Sequence, residues 1–192
     1  MMTSSYLLNP LVFLIQTLFG LYTAVVAIRF LLQWARADFY NPISQFVVRV
    51  TTPVLRPLRQ LIPGYGGMDV AALVLVWLLI SVELAILALL LGVSIFPLAA
   101  FAWAIPGVVE LFINLFLFTI LLRVILSWVN PDPYNPVVAL LERLTDPVMR
   151  PAQRWIRPIS GIDLSPMLVL IGLTLLNMLL IPPLKWLVGS PF

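Results

Sequence analysis

Residues 29–57 read RFLLQWARADFYNPISQFVVRVTTPVLRP, and residues 123–151 read RVILSWVNPDPYNPVVALLERLTDPVMRP. The two stretches align without a gap at a shift of 94 positions, which places Arg29 on Arg123 and Trp34 on Trp128. The same shift matches Asp38 with Asp132, Tyr40 with Tyr134, Asn41-Pro42 with Asn135-Pro136, and Arg49 with Arg143. It continues through Thr51 and Thr145, Pro53-Val54 and Pro147-Val148, and Arg56-Pro57 and Arg150-Pro151. The register holds as far as Asp69 and Asp163. A repeat of this length means two copies of one structural unit, divided here as residues 1–97 and 98–192.

Working outward, each stretch is flanked by apolar sequence. The chain is 62% hydrophobic and 10% charged over 192 residues, far from the composition of a soluble domain. A bilayer-crossing helix needs roughly 20 residues, and four segments qualify: about 11–32, 70–91, 105–129 and 166–187. The reading is an all-α membrane protein with four transmembrane helices in two parallel repeats, each a helix, an amphipathic segment and a returning helix. The region from Gly92 to Pro106, with Pro97 inside it, reads as a turn; a fifth, interfacial or membrane segment there is the alternative. Pro182-Pro183 is expected to break or kink the last span.

Ten of the eleven cationic residues sit in or beside the two loops: Arg29, Arg36, Arg49, Arg56, Arg59, Arg123, Arg143, Arg150, Arg154 and Arg157, with Lys185 the exception. Positive-inside placement makes those loops cytoplasmic and both termini external, in a bacterial inner membrane. Met1–Pro10 has no Lys or Arg and no cleavage-site pattern, so no removable signal is expected there. Parallel repeats should be related by an axis along the membrane normal.

Within each loop, Asn41-Pro42 and Asn135-Pro136 are helix starts, with Asn capping and Pro at the first helical position. Ile43, Phe46, Val47 and Val50, matched by Val137, Leu140, Leu141 and Leu144, recur at helical spacing opposite Gln45, Arg49, Glu142 and Arg143. That pattern predicts a short surface-lying amphipathic helix, interrupted at Pro53 and Pro147. Asp69 and Asp163 are expected to cap the returning helices.

The doubled pattern R-x4-W-x3-D-x-Y-N-P-x6-R-x-T-x-P-x2-R-P resembles the YggT family, whose relatives include YlmG, small bacterial and plastid membrane proteins. The resemblance covers essentially the whole chain. It implies membership of a family without an assigned biochemical activity, associated with osmotic-stress tolerance, with cell-division gene neighbourhoods and, in plastids, with nucleoid distribution and cytochrome b6 maturation. The sequence departs little from the pattern: Arg157 stands where the first copy has Pro63, and Asp146 where it has Thr52.

No Cys and no His occur, which excludes disulfides, thiolate catalysis and the commonest zinc and haem ligands. No Gly-rich phosphate loop or serine elbow is present, so no enzyme and no cofactor is expected. The net charge of +3 follows from the two loops and does not point to nucleic acid. Arg49 with Arg56, and Arg143 with Arg150, are candidates for anionic headgroups of the phospholipid bilayer or an acidic partner, such as a membrane or cell-division protein. Their other reading is topology alone. Trp34, Tyr40, Trp128 and Tyr134 read as interfacial anchors, and Asp38 and Asp132 as turn caps or partners of a nearby arginine.

Glu83, Glu110, Asn114 and Asn177 are polar residues within the spans, where such groups are costly and face other helices. Under the shift Glu83 corresponds to Asn177 and Gln16 to Glu110. Helix–helix hydrogen bonding is one reading; a polar path for an ion or osmolyte is the other. The two functional expectations are therefore a non-enzymatic scaffold or stress-tolerance factor, and a small channel or transporter. A homo-oligomer is compatible with both.

Overall fold

The computed structural model describes residues 3–93, 98–129, 135–155 and 163–192. Six helices follow in order: α1 Thr3–Trp34, α2 Pro42–Leu61, α3 Val70–Leu90, α4 Ala99–Val129, α5 Pro136–Trp155 and α6 Ser165–Leu187. Among the described residues there is no named strand. Four helices carry stretches long and apolar enough to cross a membrane: Leu8–Trp34, Val70–Leu90, Ala99–Val129 and Ser165–Leu187. A helix satisfies its backbone groups internally, as lipid demands, and the protein is a multi-pass membrane protein. Residues 99–105 join α4 rather than a separate piece, so the third span starts six residues earlier than the sequence suggested, and no fifth span forms among the described residues. Pro97 lies outside them.

The sequence signals for the helix starts hold. The Asn41 side chain accepts the Ile43 N–H at 2.9 Å, with Pro42 at the first helical position. Asn135 accepts from Val137 at 2.9 Å. Asp69 caps α3 by accepting the Ala72 N–H at 3.3 Å. Asp163 sits one place early and accepts from Ser165 N–H at 2.9 Å instead. The turn feeding α3 is Tyr65-Gly66-Gly67-Met68, whose end residues exchange backbone hydrogen bonds at 3.0 and 3.3 Å. Both central glycines have positive φ, 61° and 81°, the geometry that favours glycine in a two-residue hairpin turn.

The interruption expected at Pro53 and Pro147 does not occur. Pro53 and Pro57 lie inside a continuous α2, and Pro147 and Pro151 inside a continuous α5. Each ring removes one N–H, and the carbonyls left without that donor belong to Arg49 and Pro53 in α2 and to Arg143 and Pro147 in α5. All four residues are exposed, so the helix loses little by continuing past them. Pro182-Pro183 lies inside a continuous α6, so the last span is not broken there.

One core cluster joins Val26, Ala27, Leu31 and Leu32 of α1, Val47 and Leu55 of α2, and Ala71, Ala72, Leu75 and Val76 of α3. Buried alanines at these positions let the helices approach closely, as membrane packing requires. Leu115 of α4 and Leu140 and Leu144 of α5 join the same cluster. A smaller cluster of Ile120, Met149 and Val169 holds the second repeat.

The repeats meet unequally. Phe30 packs edge-on against Phe112 and Trp34 against Phe116, so α1 and α4 run in the same direction. These pairs are 82 positions apart, whereas repeat equivalents are 94 apart. The contact is thus slipped by twelve residues, about 18 Å of helix at 1.5 Å per residue. A pure twofold would place Leu18, the equivalent of Phe112, in a matching contact; Leu18 is 65% exposed. Leu140 and Leu144 are buried, while their equivalents Phe46 and Val50 are exposed. Parallel repeats are present; reciprocal packing is not. Near the helix starts, the Asn41 amide donates to the Pro136 carbonyl at 2.6 Å and ties α2 to α5.

Between the repeats, Trp77 Nε1 donates to the Phe101 carbonyl at 2.8 Å, and a Cβ on Gly107 would lie 3.1 Å from Ile80 Cγ2. Gly107→Val is expected to destabilise by about 1–3 kcal/mol through overpacking. Gly172→Val, at a helical glycine with open space around it, should leave the melting temperature in detergent within error of the parent. Equal melting of both variants would refute the α3–α4 packing described.

Candidate functional site

Where α1, α2 and α3 converge, a guanidinium is buried. Arg29, 6% exposed, sends Nη1 to Thr51 Oγ1 at 2.7 Å, Thr52 Oγ1 at 3.0 Å and the Val48 carbonyl at 3.0 Å. Thr51 can accept because its own hydroxyl donates back to the Val47 carbonyl at 2.7 Å. Such back-bonding fixes a helical threonine's rotamer and aims its lone pair outward. On the other side, Arg29 Nε lies 3.8 Å from Asp69 Oδ2. Arg59, near the end of α2, grips the same carboxylate with Nη2 and with Nε, the latter at 3.4 Å from Oδ1. Asp69, itself buried, therefore caps α3 and balances two arginines at once. A buried charge is tolerable only when paired and hydrogen-bonded in this way. Beside it a cavity of about 250 Å³ is lined by Gln33, Arg59, Gly64 and Asp69, and Gln33 closes its rim by donating to the Gly67 carbonyl at 3.0 Å.

The second repeat builds the same clamp and then rewires it. Arg123 Nη1 reaches Thr145 Oγ1 at 2.7 Å, and Thr145 donates to the Leu141 carbonyl at 2.7 Å. Asp146, standing where the first repeat has Thr52, takes over as counter-ion at 3.5 Å from Arg123 and 2.7 Å from Arg150. Position 59 is matched by Gln153, which donates to Asp163 at 3.1 Å. The first cluster thus holds two arginines and one carboxylate; the second holds two of each. Burial works against the charge of Asp163, yet the Ser165 hydroxyl and N–H, the Gln153 amide and the nearby Arg123 charge outweigh it and hold its carboxyl below the ordinary range. Of these the Ser165 N–H is the firm contact, since the Ser165 hydroxyl itself lacks hydrogen-bond geometry.

The sequence candidates fall into two groups. Arg49, Arg56, Arg143 and Arg154 are exposed and make no ion pair among the described residues, whereas Arg150 is engaged by Asp146. The proposed pairing of Arg143 with Arg150 therefore meets a neighbouring carboxylate that Arg49 with Arg56 does not. Asp38 caps a turn by accepting the Tyr40 N–H at 2.8 Å; Asp132, Tyr134 and Arg157 lie outside the described residues. Trp34 packs on Phe116 as well as lying at the helix end, while Tyr40 and Trp128 are exposed. Within the spans, Glu110 pairs with Lys185 at 3.1 Å and Asn177 donates to Asn114 at 3.2 Å. Glu83 has neither a hydrogen bond nor an ion pair among the described residues. Sequence reasoning does not single out Arg29 and Arg123 as a site, although Arg29 with Thr51 recurs as Arg123 with Thr145 in the same register.

Removing a buried partner leaves an uncompensated charge, at a cost of about 3–5 kcal/mol, whereas partly exposed pairs contribute about 1 kcal/mol or less. Asp69→Asn, which strands the buried Arg29, is therefore expected to lower thermal stability in mild detergent far more than Asp146→Asn, whose parent side chain is 25% exposed against 4% for Asp69; equal losses would contradict the unequal burial. Asp163, with a lowered folded-state pKa, contributes stability above the ordinary carboxylate range and loses it as pH falls through the lowered value. Asp163→Asn should accordingly flatten the stability loss below about pH 4, followed by thermal unfolding across an acid pH series.

A family model described as CCB3/YggT matches residues 8–90 and again 102–184. An uncharacterized protein of Pseudomonas aeruginosa is 44% identical over 182 residues, 94% of this chain and 92% of its own length. The uncharacterized protein YggT of Escherichia coli strain K12 is 40% identical over 174 residues, 89% of each chain, and one of Vibrio alginolyticus is 38% identical over 175 residues. No solved structure matches the chain. Two matched repeats that each enclose one clamp, and relatives spanning nearly the full length, place this chain in the CCB3/YggT family.

Proposed function

We propose that this protein is a non-enzymatic scaffold or assembly factor of the bacterial inner membrane, serving stress tolerance, whose Arg-rich cytoplasmic end holds anionic lipid headgroups. The observation that carries this is the sorting of arginines by face. Arg29 and Arg123 are consumed by threonines and carboxylates of their own repeat, while Arg49 and Arg56 point outward and are unclaimed among the described residues. At about 100° per residue, α2 divides into three faces. Ser44, Val47, Thr51 and Leu55 are buried on the bundle. Phe46, Val50 and Val54 form an exposed apolar stripe, and Arg49, Arg56 and Arg59 lie to its other side. An interfacial helix that dips one stripe into the bilayer and offers arginines to phosphates has this layout. Positive-inside bias supports the cytoplasmic placement and external termini.

Each basic residue near an anionic surface contributes about 1 kcal/mol, so losing two should weaken headgroup retention roughly thirtyfold. Arg49→Gln with Arg56→Gln is expected to lower the phosphatidylglycerol carried through native mass spectrometry without impairing insertion. Retention equal to the parent would overturn the lipid reading, and unchanged retention with loss of a co-purifying acidic protein would transfer the site to that partner.

Conduction is the second reading, favoured by the unengaged Glu83, which lies well inside α3. Glu110 is paired with Lys185, and Asn114 and Asn177 are bonded to each other, so few polar groups are left to line a path. Vesicles holding the parent protein should show no flux of potassium, sodium or small zwitterionic osmolytes; a flux abolished by Glu83→Gln would replace the scaffold reading.

A further inference from the structure

The most informative surface residues of a membrane protein are polar ones in the middle of a span, because apolar exposure is ordinary there. Asn114 is the sixteenth of the 31 residues of α4, its midpoint, and is exposed. Asn177 lies one residue beyond the midpoint of α6 and is half-buried. Their side chains share a single hydrogen bond, Asn177 Nδ2 to Asn114 Oδ1 at 3.2 Å. Among the described residues, that bond leaves Asn114 with an unused amide NH2 and Asn177 with an unused carbonyl. Reversing both amides gives the same inventory, one donor and one acceptor over, so the conclusion does not depend on which atom is nitrogen. Hydrocarbon offers neither group a partner, and an unmet amide there is costly.

We infer that a second copy of this chain docks on the α4–α6 seam and closes a ring of four asparagine amides. A leftover donor and a leftover acceptor at one depth form a self-complementary pair. A twofold axis along the membrane normal keeps both copies in one orientation and sets each Asn114 amide against the second copy's Asn177 carbonyl. Such a contact is isologous, the same patch on both partners. Phe118, Leu121 and Ile125 continue the exposed ridge of α4 from Asn114 at spacings of four, three and four, and supply apolar packing around the ring. The first repeat does not carry this device. Its equivalent positions are Gly20, with open space about it, and Glu83, which share no amide pair. The inference stands apart from the lipid reading, since it uses none of the arginines.

The chain has no cysteine, so single introduced cysteines report contacts without background. Phe118→Cys and Leu121→Cys, each in the otherwise unchanged protein in native membranes, are expected to cross-link to a second copy on oxidation. Leu14→Cys, exposed on α1, is not. In mild detergent, Asn177→Leu removes both inter-copy amide bonds and should weaken the dimer roughly ten- to hundredfold, read from dilution series by native mass spectrometry. Cross-linking at Phe118→Cys no greater than at Leu14→Cys, or to a different protein, would overturn the inference. A dimer of undiminished affinity in Asn177→Leu would do the same.

Discussion

A charged side chain at the end of an apolar helix needs an answer, and the molecule is organised around the one given to Arg29. Its guanidinium is planar and presents several donors, so one group can tie three helices: hydroxyls and a carbonyl of α2 on one side, the capping carboxylate of α3 on the other. Burial makes this arrangement strong, because Arg29 and Asp69 are both almost wholly enclosed and a lost partner is costly there. It also fixes α2, which must lie across the hairpin for Thr51 to reach. The surface that α2 turns outward, arginines included, follows from what it has to turn inward.

The second repeat shows what is essential in that answer. The arginine and the back-bonded threonine persist at the same 2.7 Å distances, while the counter-charge moves from the start of the returning helix to Asp146, one turn before Arg150. The carboxylate is movable; the Arg–Thr contact is not. The cost of moving it is a looser, more exposed cluster, and the benefit is that Asp163 no longer carries the charge of two arginines. The two clusters consequently differ in net charge although their scaffolds match.

Much of this was legible in the sequence. The repeat register, the four spans, the Asn-Pro helix starts and the capping role of Asp69 all follow from local chemistry, and local chemistry survives folding. Three features were not. Proline in α2, α5 and α6 looked like an interruption, because sequence does not say whether the freed carbonyl faces water or protein. The partnership of Asn114 with Asn177 joins residues 63 positions apart, and no local pattern links them. The slip between repeats leaves no local signature, since it depends on how aromatic residues such as Phe30 and Phe112 interlock across helices.

That slip bears on how a duplicated chain differs from a pair of identical halves. Two free copies of one hairpin would have to meet through matching surfaces, each giving what it receives. Here the fusion carries Leu140 and Leu144 into the first repeat's core while Phe46 and Val50 stay outside. Joining the halves in one polypeptide released them from that reciprocity, and each was then free to specialise: one as the packed foundation, the other as the half left open to the bilayer.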